Sequence, residues 1–260
     1  MANNLQGTTV LVTGAAGGLG KVIATAYLNA GANVAICDIN AERLAEANSE
    51  FESTGRFAAF STNITDEAAV TKLADDVVAK FGRLDVVVSN AGMADTFDPV
   101  GSLSKANWDK VIGVNLTGSF LVFKAAVNAM EKQTPSGGTI IQICSTASYH
   151  GMSSGVAYTV SKHGVTALVK STAGNYASKG IYSVGLLLGG MVDTNIQEGM
   201  ASLGGFNMEA FKQSVSATFD PAQAIQTKDV AKYCVFLADR DIAATSNGSL
   251  ITFNKNFPKA

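Results

Sequence analysis

A tyrosine and a lysine stand four residues apart in Tyr158-Thr159-Val160-Ser161-Lys162, and these are the side chains best suited to chemistry in the chain. Apolar Val165, Leu168 and Val169 recur at helical spacing along residues 157–178, which places Tyr158 and Lys162 on one face of a helix. A free phenol titrates near ~10, and each unit of lowering needs about 1.4 kcal/mol of preferential stabilisation of the phenolate, which a neighbouring ammonium helps to supply. A phenol tuned towards neutrality passes protons. Alone, the spacing is weak, because a tyrosine and a lysine one turn apart ordinarily pack and snorkel as an amphipathic pair.

Other groups add weight to it. Thr13-Gly14-Ala15-Ala16-Gly17-Gly18-Leu19-Gly20 follows an apolar run and opens a helical stretch. Glycine lets a backbone approach a pyrophosphate, whose charge is favoured by the free N–H groups of a helix N-terminus. Asp38 ends the next apolar run, where a carboxylate accepts hydrogen bonds from both hydroxyls of an adenosine ribose and repels a 2'-phosphate. It is equally placed to cap the helix after it. Asn90-Ala91-Gly92 closes a fourth apolar run, Asn115 interrupts an apolar helical stretch, and Ser145 ends a fifth run thirteen residues before Tyr158.

Together these residues resemble the short-chain dehydrogenase/reductase family, in its compact type with a TGxxxGxG turn and a YxxxK motif, over nearly the whole chain. The resemblance implies an oxidoreductase that moves a hydride between a nicotinamide dinucleotide and a secondary alcohol or ketone, without a metal. It makes Tyr158 the general acid for reduction and the base for oxidation, and has Ser145 polarise the substrate oxygen. Lys162 lowers the Tyr158 pKa and binds the nicotinamide ribose. Asn115 bends its helix and holds a water leading to the lysine. The implied cofactor contacts are Gly14, Gly18, Leu19, Gly20, Asp38, Ile39, Asn63, Ile64, Asn90, Ala91, Gly92, Gly190, Val192 and Thr194, together with Tyr158 and Lys162. Asn63-Ile64 stands where the family usually has an Asp-Val pair.

Asp38 and the small residues Ala15, Ala16 and Gly17, where phosphate-preferring relatives tend to carry Lys or Arg, favour NAD over NADP. Two departures stand out. Gly189-Gly190 replaces the usual Pro-Gly, which should leave that loop less preorganised, and Lys255-Asn256 replaces a glycine pair, which puts the usual four-subunit contacts in doubt. A homodimer or homotetramer is still expected. The competing functions are a non-catalytic NAD-binding regulatory or scaffold protein, whose kind tends to lose the Tyr or Lys, and an epimerase or dehydratase built on the same pair.

The elements that must position these groups are legible as an alternation. Runs at 8–12, 33–37, 56–60, 86–89, 139–144, 184–188 and 249–253 read as strands, mostly apolar at successive positions, as a sheet covered on both faces demands. Helical patterns lie at 19–30, 41–54, 67–81, 105–132, 157–178 and 229–238. The expected fold is a single doubly wound Rossmann α/β domain over 1–260, with a seven-stranded, mainly parallel sheet and a substrate lid at 195–217. His150, Met152, Met191, Ile196, Met200, Leu203 and Phe206 are its candidate pocket walls, suggesting an apolar, cyclic or lipid-like substrate.

Composition bounds the rest. With 260 residues, 47% hydrophobic and a net charge of −2, the chain suits one sizeable domain and carries no basic footprint for nucleic acid. Cys37, Cys144 and Cys234 read as buried thiols, and with two histidines no zinc spacing arises. Residues 1–7 lack signal-peptide character and no uninterrupted apolar run reaches the ~20 residues of a membrane span, so a soluble cytoplasmic protein is expected.

Overall fold

In the computed structural model, which describes residues 4–258, seven strands form one sheet: β1 (Thr9–Thr13), β2 (Asn33–Asp38), β3 (Phe57–Ser61), β4 (Val86–Ser89), β5 (Gly138–Ser145), β6 (Ile181–Leu188) and β7 (Leu250–Phe253). Every pairing is parallel and the order is β3-β2-β1-β4-β5-β6-β7. Consecutive apolar residues serve opposite faces, because side chains alternate along a strand. Val10, Val12, Val86 and Val88 belong to one core cluster, while Leu11 and Val87 belong to another.

The helices are α1 (Gly18–Asn29), α2 (Ala41–Phe51), α3 (Glu67–Phe81), α4 (Lys105–Ile112), α5 (Ser119–Lys132), α6 (Val156–Tyr176), α7 (Met208–Gln213), α8 (Thr227–Phe236) and α9 (Arg240–Thr245). Helices α1 and α8 pack together over the first cluster, and α3 and α5 over the second. Helix α3 is capped at both ends: the Asp66 side chain accepts from Ala69 N–H at 3.0 Å, and Gly82 ends the helix in the left-handed region at φ 86°.

Three features depart from the sequence reading. The stretch 105–132 is not one regular helix but is interrupted by a π turn, Gly113–Gly118. Helices α7 and α9 were not expected, since each is six residues long and starts at a cap, Asn207 or Asp239, without a sustained apolar period. By length and composition Lys105–Lys132 is apolar enough to cross a membrane, although no uninterrupted apolar run predicts this; 56% of its most apolar window is buried inside the fold.

The strand order reverses between β1 and β4, so the loops leaving their carboxyl ends diverge and open a crevice there. The loop after β1 is the glycine-rich turn, and the loop after β4 is Asn90-Ala91-Gly92.

Candidate active site

Tyr158 sits in the first turn of α6, and Lys162 one turn later is 3% exposed. The Lys162 Nζ lies 5.5 Å from the centre of the Tyr158 ring and donates to the Ile143 carbonyl of β5 at 3.0 Å. Ser145, at the end of the same strand, is near enough to the Tyr158 phenol for its hydroxyl to lower the phenol's pKa. Its Oγ also accepts from Ala147 N–H at 3.1 Å, while Ser148 Oγ accepts from Ser145 N–H at 3.3 Å. Of the neighbouring hydroxyls, then, Ser145 meets the tyrosine and Ser148 secures the turn beneath it.

Burial dominates the electrostatics of the pair. Burial pushes the Tyr158 phenol up to about 12; the Ser145 hydroxyl opposes this, and the charges of Asp95 and Cys144 add to it. Burial likewise lowers the Lys162 pKa. The Ser145 hydroxyl draws the phenol down, while desolvation disfavours both charged forms and the lysine ammonium is engaged with a backbone carbonyl.

Asn115 lies in the π turn and is 1% exposed. Its Oδ1 accepts from Met93 N–H at 2.8 Å, and its Nδ2 donates to the Met93 carbonyl at 2.9 Å and to Ser161 Oγ at 3.1 Å. Ser161 Oγ in turn donates to the Tyr158 carbonyl at 2.7 Å. The helix is distorted at the expected place. Both amide hydrogens bind protein partners, so the side chain acts as a brace between the loop after β4 and α6, and the amide N–H groups are not available to hold a water.

The glycine-rich turn is tightly built. Gly14 has φ 61°, and a Cβ there would lie 2.7 Å from Ala91 Cα; one at Gly20 would lie 2.7 Å from Asn90 Nδ2. Asn90 Nδ2 donates to the carbonyls of Thr13 at 2.9 Å and Gly14 at 3.0 Å, and Thr13 Oγ1 accepts from the N–H groups of Asn90 and Ala91. The Asn90-Ala91-Gly92 loop therefore fixes the turn. Helix α1 starts at Gly17 with no side-chain cap, which leaves its first N–H groups without a side-chain partner. The Asp38 carboxylate accepts from Ala16 N–H at 3.1 Å through Oδ2 and from Asn40 N–H at 3.0 Å through Oδ1. A carboxylate has about four lone-pair sites, so acceptor capacity remains on both oxygens.

The other cofactor candidates divide. Leu19 and Ile64 are each 6% exposed and belong to the core, and Ile64 packs where a Gly118 side chain would otherwise go. Asn63 Oδ1 accepts from the N–H and hydroxyl of Thr65, forming a turn. Ile39 and Val192 are exposed, Thr194 is half-buried, and Gly190 is held against the Phe219 ring.

Residues 195–217 pack across this crevice. The Asn195 side chain lies on Gly17 and Gly18, and the Arg43 guanidinium of α2 makes two hydrogen bonds with Glu198, at 2.8 and 2.9 Å. Further on, the rings of Phe206 and Phe211 pack edge-on against Phe97 at 5.3 and 5.1 Å. The seven proposed wall residues do not form one surface. Leu203 is buried with Met93, Val111 and Ala157, and Met191 packs on the core, whereas Met152, Ile196 and Phe206 are exposed. Met200 is half-buried, as is His150, whose ring stacks on Tyr149.

The Gly189 departure has a packing cause. Gly189 N–H donates to the Phe253 carbonyl at 2.7 Å, and a Cβ would lie 2.8 Å from Asn254 Cα. Lys255 and Asn256, the second departure, follow directly and hold φ values of 47° and 60°, in the region a glycine pair would supply. The expectation of a loosened loop is replaced by one of close fit. Gly189→Pro would remove the hydrogen bond and force a ring into Asn254, so we expect a loss of about 3 kcal/mol in urea unfolding. An unchanged midpoint would mean that the C-terminal segment does not rest on Gly189.

Sequence reasoning missed Asp95, Ser161, Asn195 and Arg43, whose partners are distant in sequence. Only an acid in the otherwise uncharged run 84–97, apart from Asp85, marked Asp95.

Comparison with known proteins agrees with the geometry. The short chain dehydrogenase family profile matches residues 8–202. A short chain dehydrogenase/reductase, dpchG, of Colletotrichum higginsianum is 43% identical, over 98% of this chain and 96% of its own. The D-threitol dehydrogenase of Mycolicibacterium smegmatis is 33% identical over 94% and 90%. A crystal structure from Sinorhizobium meliloti 1021, assigned as a short-chain alcohol dehydrogenase, superposes with TM-score 0.83 over 100% of both chains at 29% identity. The chain is a short-chain dehydrogenase, a member of an oxidoreductase family that works with a nicotinamide dinucleotide.

Proposed function

We propose that this protein is an NAD(H)-dependent oxidoreductase of secondary alcohols and ketones. The observation that carries the reading is the buried Lys162 ammonium, 5.5 Å from the centre of the Tyr158 ring and bound to the Ile143 carbonyl two residues before Ser145, at the carboxyl edge of the sheet beside the glycine-rich turn. The glycine turn, the uncapped start of α1 and the residual acceptor capacity of Asp38 suit a dinucleotide. When bound, the nicotinamide supplies or takes the hydride.

The chain's own residues handle position and protons. In reduction the substrate oxygen lies between Ser145 and Tyr158, and Tyr158 Oη gives it a proton as the hydride reaches carbon. In oxidation Tyr158 takes that proton back. Lys162 holds the nicotinamide ribose and the Ile143 carbonyl, which fixes its ammonium below the tyrosine ring. Asn115 keeps α6 in register with the loop after β4 through Ser161. Residues 195–217 serve as a lid, and Met152, Ile196 and Phe206 give the substrate side an apolar rim, suited to an apolar or cyclic body. A panel of such alcohols and ketones, followed by NADH absorbance, tests the activity; no turnover with any of them would favour a binding protein.

Cofactor choice follows from two charges. Asp38 repels a 2'-phosphate, and the nearby cation Arg43 is already paired with Glu198, so no free guanidinium waits there for a phosphate. NAD(H) is expected to bind at least about tenfold more tightly than NADP(H), roughly 1.4 kcal/mol. Fluorescence titration with both dinucleotides measures this, and equal affinities would remove Asp38 from the site.

A further inference from the structure

One carboxylate outside this machinery reaches the turn that carries Tyr158. Asp95, in the loop after β4, is 1% exposed. Its Oδ1 accepts from Phe97 N–H at 3.1 Å, Ser154 Oγ at 3.0 Å and Gly155 N–H at 3.0 Å, and its Oδ2 accepts from Tyr158 N–H at 2.9 Å. Helix α6 begins at Gly155 with no side-chain cap of its own. Its free N–H groups are satisfied by a carboxylate from a different element, about sixty residues earlier in the chain. A Cβ on residue 155 would lie 2.5 to 2.8 Å from the Asp95 carboxylate atoms, so glycine is what lets the acid approach. The same loop also reaches the lid, since Asp98 Oδ1 accepts from Asn207 Nδ2 at 2.9 Å and the Asp98 carbonyl accepts from Val156 N–H at 3.1 Å.

We propose that Asp95 is a positioning residue: it caps α6 from outside the helix, sets the Tyr158 phenol against Ser145, and places a carboxylate where its charge bears on that phenol. This rests on the reading that Tyr158 moves the proton. The charged and titratable groups around Tyr158 are Cys144 of β5, Lys162 of α6 and Asp95 itself, with the Ser145 hydroxyl beside them. Asp95 and Cys144 oppose ionisation of the phenol, and Ser145 favours it. Removing the carboxylate also leaves the positive end of α6 uncompensated, which favours the phenolate further. Both effects have the same sign.

The test reads the phenol directly, so it needs no substrate. With tyrosine labelled at Cζ by carbon-13, the Tyr158 signal is identified by its absence in Tyr158→Phe. In Asp95→Asn the amide keeps an acceptor for Ser154 and Gly155 but loses the charge and cannot accept from Tyr158 N–H. The expected result at pH ~10.5 is a Tyr158 phenolate fraction at least threefold above wild type, a shift of about half a pH unit. Gly155→Ala, which displaces the carboxylate without removing it, should act in the same direction and decides the matter if Asp95→Asn does not fold. A purely structural cap would lower the melting temperature and leave the titration where it is. An unmoved phenolate fraction in the folded variants, or a lower one, overturns the proposal. Active Tyr158→Phe enzyme would overturn the catalytic reading of Tyr158 alone, leaving the titration to judge Asp95 separately.

Discussion

Tyr158→Phe is expected to lower turnover in both directions by between about 10² and 10⁴-fold, with folding and NAD binding retained. The phenyl ring keeps the packing of the tyrosine, and the contacts that place the residue come from its backbone: Asp95 takes its N–H and Ser161 donates to its carbonyl. What is lost is one oxygen, its interaction with Ser145 and the transferable proton. Ser145 is left with its bond from Ala147 N–H, so the pocket does not acquire an orphaned hydroxyl. Any proton for the substrate oxygen must then come from water. Initial rates by NADH absorbance, with thermal melting and NAD titration on the same samples, separate chemistry from folding. A variant that keeps more than a tenth of the activity would show that another group does the acid–base work.

The phenol's resting state matters for how this machinery is tuned. At about 12, Tyr158 is an acid ready for reduction, and oxidation requires the bound complex to favour the phenolate more strongly than this structure does. That balance was not legible in the sequence. The spacing of Tyr158, Lys162 and Ser145 placed them together because helix pitch and strand ends are local properties. Which neighbour governs the phenol depends on burial and on where the lysine ammonium points, and both are set by β5 packing beneath α6.

Other misses have the same origin. The glycine-rich turn is decided within a few residues, so it could be read, whereas the cap of α2 is Asn40 and not Asp38. Gly189 is decided by Asn254, which comes beside it only when β7 joins β6. Asp95 looks like any loop acid until the start of α6 folds onto it. Ile64 and Leu19 were expected among the cofactor contacts, yet their side chains fill the core, because a position beside a ligand need not present its side chain to that ligand.

Lys162→Met is the second large effect expected, and it separates an enzyme from a dinucleotide-binding scaffold. Methionine keeps much of the apolar stem, removes the ammonium and takes one donor from the Ile143 carbonyl, which keeps that of Gln142 Nε2. The ammonium lies 5.5 Å from the centre of the ring, near enough for its charge to favour a phenolate, although burial disfavours the charged lysine and the ammonium is shared with a carbonyl. Loss of a positive charge beside a phenolate raises the phenol's pKa. The rising limb of the oxidation profile should therefore move to higher pH by about one unit, the opposite sense to Asp95→Asn. The NAD dissociation constant should rise at least about tenfold in the same variant, since the ammonium also holds the ribose. An ordinary surface pair would change neither, but Lys162 is 3% exposed and is no surface residue. A scaffold would show weaker NAD binding with no turnover to shift, in wild type or variant. Rates across pH and dissociation constants measured together decide the matter, and an active enzyme whose profile and affinity both stay unchanged would dissolve the pairing of Tyr158 with Lys162.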